Sequence, residues 1–250
     1  MKIQKVGNRG FLFTFLEMDD YPTNVYLIQG KNRFFVCDTF LGPSFMQEII
    51  DFTKKEIAIK PFVVFNSHFH WDHIWGNCLF EDSLIVSHNL TREKIIKLGK
   101  KEVSKHAKYW DKKATIKLPD CTFQEKILFP EDSVEFFYSP GHTLDSSSCL
   151  DADDGILVVG DNLEDPIPYL ESTYLEEYDN TLRQYKLVHW EAIITGHGPV
   201  AGQNLLNKNH RYIQDLLSKD TEKYNEDPYR TIHLQNKLTI GKHFMERKVL

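Results

Sequence analysis

Three imidazoles and a carboxylate fall within the six residues His68-Phe69-His70-Trp71-Asp72-His73, and the chemistry this density suggests is metal ligation. Neutral imidazole and carboxylate together suit zinc or a similar divalent ion. The spacing also constrains the backbone. On a helix only neighbours three or four apart share a face, so His68 and His70 would diverge there. They belong on a loop that ends a strand, and the apolar run Phe62-Val63-Val64-Phe65 just upstream supplies one.

Further strand-like runs each end in a side chain able to bind metal. Val134 to Tyr138 leads through Ser139-Pro140-Gly141 to His142, Ile156 to Val159 leads through Gly160 to Asp161, and Ala192 to Thr195 leads through Gly196 to His197. Four strand ends thus aim chemistry at one place, where open α/β sheets put their sites. His88, His106, His189, His210, His233 and His243 fall outside this pattern and are read as ordinary surface or core histidines.

Upstream, Phe11 to Leu16, Asn24 to Ile28 and Phe34 to Cys37 read as strands of an antiparallel meander, the last two joined by Gly30-Lys31-Asn32. Asp38 follows the third strand and reads either as a brace for the metal ligands or as a turn residue. Gly42-Pro43-Ser44 opens a helix with Phe45, Ile49 and Phe52 on one stripe. Between Thr91 and Lys113 a lysine-rich helix is expected, as a solvated face or as an arm drawing an anionic substrate to the metal, with Tyr109 and Trp110 at its end. Leu205 to Leu217 sketches an amphipathic closing helix. The segment Asp165 to Tyr178 offers Pro166, Pro168, Tyr169, Tyr174 and Tyr178, as packing or as a pocket for an apolar or aromatic portion of a substrate.

The chain of 250 residues, 41% hydrophobic, can bury a large core. Its formal charge of -6 argues against nucleic acid as an electrostatically captured partner. Cys37, Cys78, Cys121 and Cys149 contain no CxxC pair, which fits reduced thiols in a cytoplasm. The apolar run near the N-terminus is too short for a membrane span or a signal-peptide core, so a cytoplasmic protein without a membrane partner is expected. A homo-oligomer is left open.

The ordered set His68-x-His70-x-Asp72-His73, Gly141-His142-Thr143, Gly160-Asp161 and Gly196-His197-Gly198 resembles the metallo-β-lactamase superfamily of metallohydrolases over roughly residues 10 to 200. The resemblance implies a four-layer αββα sandwich of two similar halves in a single domain spanning residues 1–250, with a helical extension over 203–250. It also implies a dinuclear site: His68, His70 and His142 on one metal, Asp72, His73 and His197 on the other, and Asp161 bridging them. The implied cofactors are two zinc ions, with iron or manganese as other occupants. The implied chemistry is attack by a bridging hydroxide, oriented by Asp72 as catalytic residue, on a carbonyl or phosphoryl centre of a small molecule.

Asn66 to His73 with Gly76-Asn77 is similar to glyoxalase II and to quorum-quenching lactonases, yet His197 sits in Gly196-His197-Gly198-Pro199 rather than in the longer glyoxalase II motif. Asp161 fills a slot where true β-lactamases depart from the pattern, and no nucleic-acid-binding segment of the superfamily's nucleases is visible. Two other classes stay in view: an iron-dependent dioxygenase resembling the persulfide dioxygenases, which a complete second site opposes, and a noncatalytic metal-binding protein.

Overall fold

The computed structural model describes residues 1–19 and 21–246, with side chains to residue 241. A meander of β1 (Lys2–Val6), β2 (Gly10–Phe15), β3 (Thr23–Gln29) and β4 (Phe34–Cys37) opens the chain. Helix α1 (Pro43–Glu56), started by proline where the first turn needs no N–H donor, crosses to β5 (Phe62–Asn66), which lies parallel to β4. The short helix α2 (Trp71–Ile74), β6 (Leu84–His88), α3 (Asn89–Lys105) and β7 (Cys121–Phe123) complete a seven-stranded sheet in sequential order.

A second sheet of five strands follows, in the order β12-β11-β10-β9-β8. Its members are β8 (Lys126–Phe129), β9 (Val134–Tyr138), β10 (Ser147–Asp151), β11 (Ile156–Gly160) and β12 (Ala192–Thr195), with α4 (Leu175–Leu187) crossing between the last two. Helices α5 (Gln203–Ser218) and α6 (Arg230–Glu246) come last. The two halves share one device, a parallel strand–helix–strand unit: β4-α1-β5 in the first and β11-α4-β12 in the second.

Three apolar cores define four layers. Phe34 and Val36 of β4 face outward with Val64 toward Met46 and Ile49 of α1 and Ile95 of α3. Their neighbours Phe35 and Cys37 face inward with Phe65, meeting Phe136, Cys149 and Val158 of the other sheet. Phe65 and Phe136 stack across the gap with ring centroids 4.4 Å apart. Leu157, Val159 and Ile193 face the opposite way, against Leu182 and Tyr185 of α4 and Leu206 and Ile213 of α5. Residues of β4 thus alternate between two dry cores, so a slip of one residue would exchange the sets and is strongly disfavoured. The expected αββα sandwich is observed.

One expectation needs correction. The lysine-rich helix ends at Lys105 rather than at Lys113: His106 leaves helical geometry, a single 3₁₀ turn spans Ala107–Tyr109, and Trp110 is extended. The Asp111 carboxylate accepts from the Ser44 and Lys113 amides, which ties residues 111–113 to the start of α1 instead of to a helix. Strands β1, β6, β7, β8 and β10 were not anticipated. At the other end, Asn236 of α6 donates to Pro168 O and accepts from Leu170 N, so this part of the tail covers its own fold. Residues 247–250 and the side chain of His243 lie outside the described residues.

Candidate metal centre

Strand β5 ends in Asn66, and the loop after it carries His68 and His70 before α2 presents Asp72 and His73. This loop is fixed from outside. The Phe69 amide donates to Asp145 Oδ2 at 2.9 Å, and buried Asp145 is held in turn by Lys94 Nζ at 2.7 Å. His142 follows β9, Asp161 follows β11 and His197 follows β12, and all seven expected side chains meet at this edge of the sandwich. None of the remaining described histidines joins these donors, although His106 lines the cavity above them.

Their donor atoms form two groups. His68, His70, His142 and Asp161 make one, and Asp72, His73 and His197 make the other. His70 Nδ1 lies 2.9 Å from His68 Nε2 and 3.2 Å from His142 Nε2. Ligands about 2.0–2.1 Å from a tetrahedral ion stand about 3.3 Å from each other, so this crowding of ring nitrogens matches a shared cation. In the second group His197 Nε2 is 3.3 Å and His73 Nε2 3.6 Å from Asp72 Oδ2. Asp161 faces both, its Oδ2 being 3.5 Å from His68 Nε2 and its Oδ1 3.4 Å from His73 Nε2.

The donors also fit a metal by what they lack. His73 Nε2 and Asp161 Oδ1 are buried and have no hydrogen-bond partner among the described residues, a costly arrangement unless a ligand completes it. The far ring nitrogens, by contrast, are committed. His73 Nδ1 donates to Asp38 Oδ2 at 2.8 Å, and His142 Nδ1 donates to Tyr169 O at 2.8 Å. Ser67 Oγ donates to Asp38 Oδ2, leaving its lone pair for His68 Nδ1–H at 3.0 Å. Each of these bonds fixes the tautomer that leaves Nε2 free toward the centre. Asp38 therefore braces the site, with its backbone in the left-handed region (φ 64°).

Electrostatics divide the two groups. Burial, reinforced by the charge of His73, pushes His68 well below the usual histidine range, and burial with the charge of His142 does the same to His70. For His73, burial acts downward, but Asp161, Asp72 and Asp38 outweigh it and hold the imidazole well above that range. His197 is raised likewise, against its burial, by Asp161 and Asp72. Asp72 is held at about 2 by His73 and His197 in spite of its burial.

Asn162 was not anticipated, yet it positions the centre: its Oδ1 accepts from the His142 amide and its Nδ2 donates to Ser139 O and Tyr185 Oη. Its neighbour Leu163 leads to Glu164, a buried carboxylate that burial and Asp161 push up to about 7. No motif marks these two residues; only their place just after Asp161 was a signal. The centre floors a cavity of about 670 Å³, walled on one side by Phe69, Trp71 and Tyr109 and on the other by Tyr21 and Tyr169. Tyr21 and Tyr169 touch through their hydroxyls at 3.0 Å.

Of the aromatic candidates, Tyr169 and Tyr109 line this cavity. Tyr178 is buried under α4 with its hydroxyl on Asn162 O, and Trp110 packs edge-on against Trp75, so both are packing residues. Pro166, Pro168 and Tyr174 do not line it either. The lysine-rich arm sends Lys105 alone of its lysines to the wall, beside Glu102. Among the described residues no helix is long and apolar enough to cross a membrane.

Comparison with known proteins agrees with this fold. Residues 18–197 match the family model described as the metallo-beta-lactamase superfamily. The fold is similar to a metallo-beta-lactamase from Pontibacter korlensis, at 18% identity and TM-score 0.67, covering 86% of this chain and 99% of that one. It is similar to the DIM-1 metallo-beta-lactamase at 17% identity and TM-score 0.70, covering 86% and 97%, and to one from Hirschia baltica at 15% and 0.68, covering 85% and 96%. No curated protein matches the chain significantly. With the match spanning most of its length and including all seven donors, the chain belongs to the metallo-β-lactamase superfamily.

Proposed function

We propose that the protein is a dinuclear zinc hydrolase acting on an ester, thioester or lactone carbonyl, or on a phosphodiester, of a small molecule. The observation that carries this reading is the pair of buried, partnerless donors, His73 Nε2 and Asp161 Oδ1, set between two complete donor groups. His68, His70 and His142 would hold one ion, Asp72, His73 and His197 the other, and Asp161 would serve both. Such ions supply Lewis acidity and an ionised water at neutral pH.

The chain's own residues do the rest. Asp38, Ser67 and the Tyr169 carbonyl hold the ligand tautomers, so the centre needs little rearrangement when substrate arrives. Asp72, ionised down to about pH 2, keeps an acceptor oxygen at the floor of the cavity, where it can orient the nucleophile and take its proton to the leaving group. Phe69, Trp71, Tyr21 and Tyr169 line the cavity above these groups and offer apolar surface to a substrate. The complete second donor group favours this reading over a single-iron dioxygenase.

The test is metal analysis of the purified protein together with a panel of thioester, lactone and phosphodiester substrates. Two zinc ions per chain with hydrolysis of at least one class are expected. One iron per chain with oxygen uptake, or two zinc ions with no hydrolysis of any class, would overturn the proposal.

A further inference from the structure

Glu164 lies three residues beyond Asp161, and its carboxylate opens onto two adjoining cavities: the one above the metal ligands and a second of about 670 Å³ lined by Pro199, Leu205 and Lys208. The residue is only 8% exposed. Its position is fixed, because Asn209 of α5 accepts from the Glu164 amide at 2.8 Å and donates to its carbonyl at 2.9 Å. Oε2 accepts from the Tyr169 amide at 2.6 Å. Among the described residues nothing donates to Oε1.

Among the described residues no lysine or arginine pairs with this carboxylate. Lys208, in the second cavity, pairs with Asp165 at 2.7 Å, and Lys108, at the rim of the first, pairs with Asp19 at 2.7 Å. Beyond the metal ligands, the first cavity is lined by Asp19, Glu102, Glu164 and Glu171 against Lys105 and His106. A carboxylate with one oxygen unpaired and facing a cavity is stabilised in its ionised form by a ligand that brings the counter-charge. The rings of Tyr21 and Tyr169 in the same cavity add aromatic faces that attract cations.

We infer that Glu164 anchors a cation subsite and that the substrate carries a protonated amine beside its scissile bond, the N–H reaching Oε1. The inference rests on the hydrolytic reading for the scissile bond, but not for the cation. It turns the expectation of an anionic substrate around: of the α3 lysines only Lys105 reaches the cavity, whose wall carries Asp19, Glu102, Glu164 and Glu171.

The zinc-loaded full-length protein is titrated calorimetrically with 2-(dimethylamino)ethanol and with its neutral isostere 3-methylbutanol. Turnover is then compared for S-(2-dimethylaminoethyl) thioacetate and S-(3-methylbutyl) thioacetate. The amine is expected to bind, and its thioester to react in kcat/KM, on the order of tenfold better than the neutral partner. Glu164→Gln, which keeps the acceptor for the Tyr169 amide, brings both ratios near one, and Glu164→Asp restores part of them. Equal ratios in the wild-type protein overturn the inference even if the Gln variant does not fold. So does a Gln variant that keeps the preference, or one whose sole change is a lower zinc content, which would make Glu164 a charge balance for the metals. Tighter binding of the amine with neither thioester cleaved supports the subsite and counts against the hydrolase instead.

Discussion

Asp38 accepts the Nδ1 proton of His73 at 2.8 Å while taking two further hydrogen bonds from the backbone and hydroxyl of Ser67. One carboxylate at the end of β4 thus orients a ligand on α2 and ties down the loop that carries His68. Removing it should loosen both donor groups.

Asp38→Ala is therefore expected to weaken zinc binding by about 10–100-fold, the usual cost of losing a carboxylate behind a ligating histidine. Competition against a chromophoric chelator measures it. Unchanged zinc affinity would reduce Asp38 to a turn residue.

Zinc binding should release protons chiefly from one half of the centre. His73 and His197 are raised by Asp161 and Asp72, so they still hold protons at neutral pH, whereas His68 and His70 are lowered and do not. A ligating nitrogen must first be deprotonated. As pH falls from about 8 to about 6, the ion held by Asp72, His73 and His197 should accordingly be lost before the other. Calorimetric titration of the metal-free protein in buffers of different ionisation enthalpy should give more than one proton released on filling both sites near neutrality. No proton release would contradict the assignment.

Asp72→Asn keeps the shape of the side chain and removes its charge. At matched zinc content, kcat should fall by at least about 100-fold, as expected for loss of a positioned acid–base group. Full turnover with both metals retained would remove Asp72 from the mechanism.

Gly196 lies against the centre. A methyl group at its Cα would overlap Asp161 Oδ1 and come within 2.8 Å of His73 Cε1. Gly196→Ala should displace the carboxylate between the two groups and leave at most one zinc ion per chain by elemental analysis, with the fold intact by circular dichroism. A variant retaining two ions would show that Asp161 does not need its observed place.

The candidate metal-binding side chains were legible as a group because ligation demands few residue types, and their segments follow apolar runs that read as strands. His142, Asp161 and His197 follow β9, β11 and β12 as their spacing implied. The αββα layering came through the resemblance, since periodicity alone does not tell Phe34 facing α1 from Phe35 facing the other sheet. What stayed hidden depends on distant contacts. Asn162 holds His142 across twenty residues, and Glu164 acquires its meaning from Asn209, Tyr169 and two cavities. The end of α3 was misjudged because the lysines to Lys113 continue a helical pattern, while Asp111 is bound to the start of α1.

The most direct measurement is elemental analysis joined to anomalous X-ray diffraction at the zinc edge on crystals of the zinc-loaded protein. The account predicts two zinc peaks, one among His68, His70 and His142, the other among Asp72, His73 and His197, with Asp161 contacting both. A single peak at full occupancy, or none with the seven side chains folded in place, would contradict it.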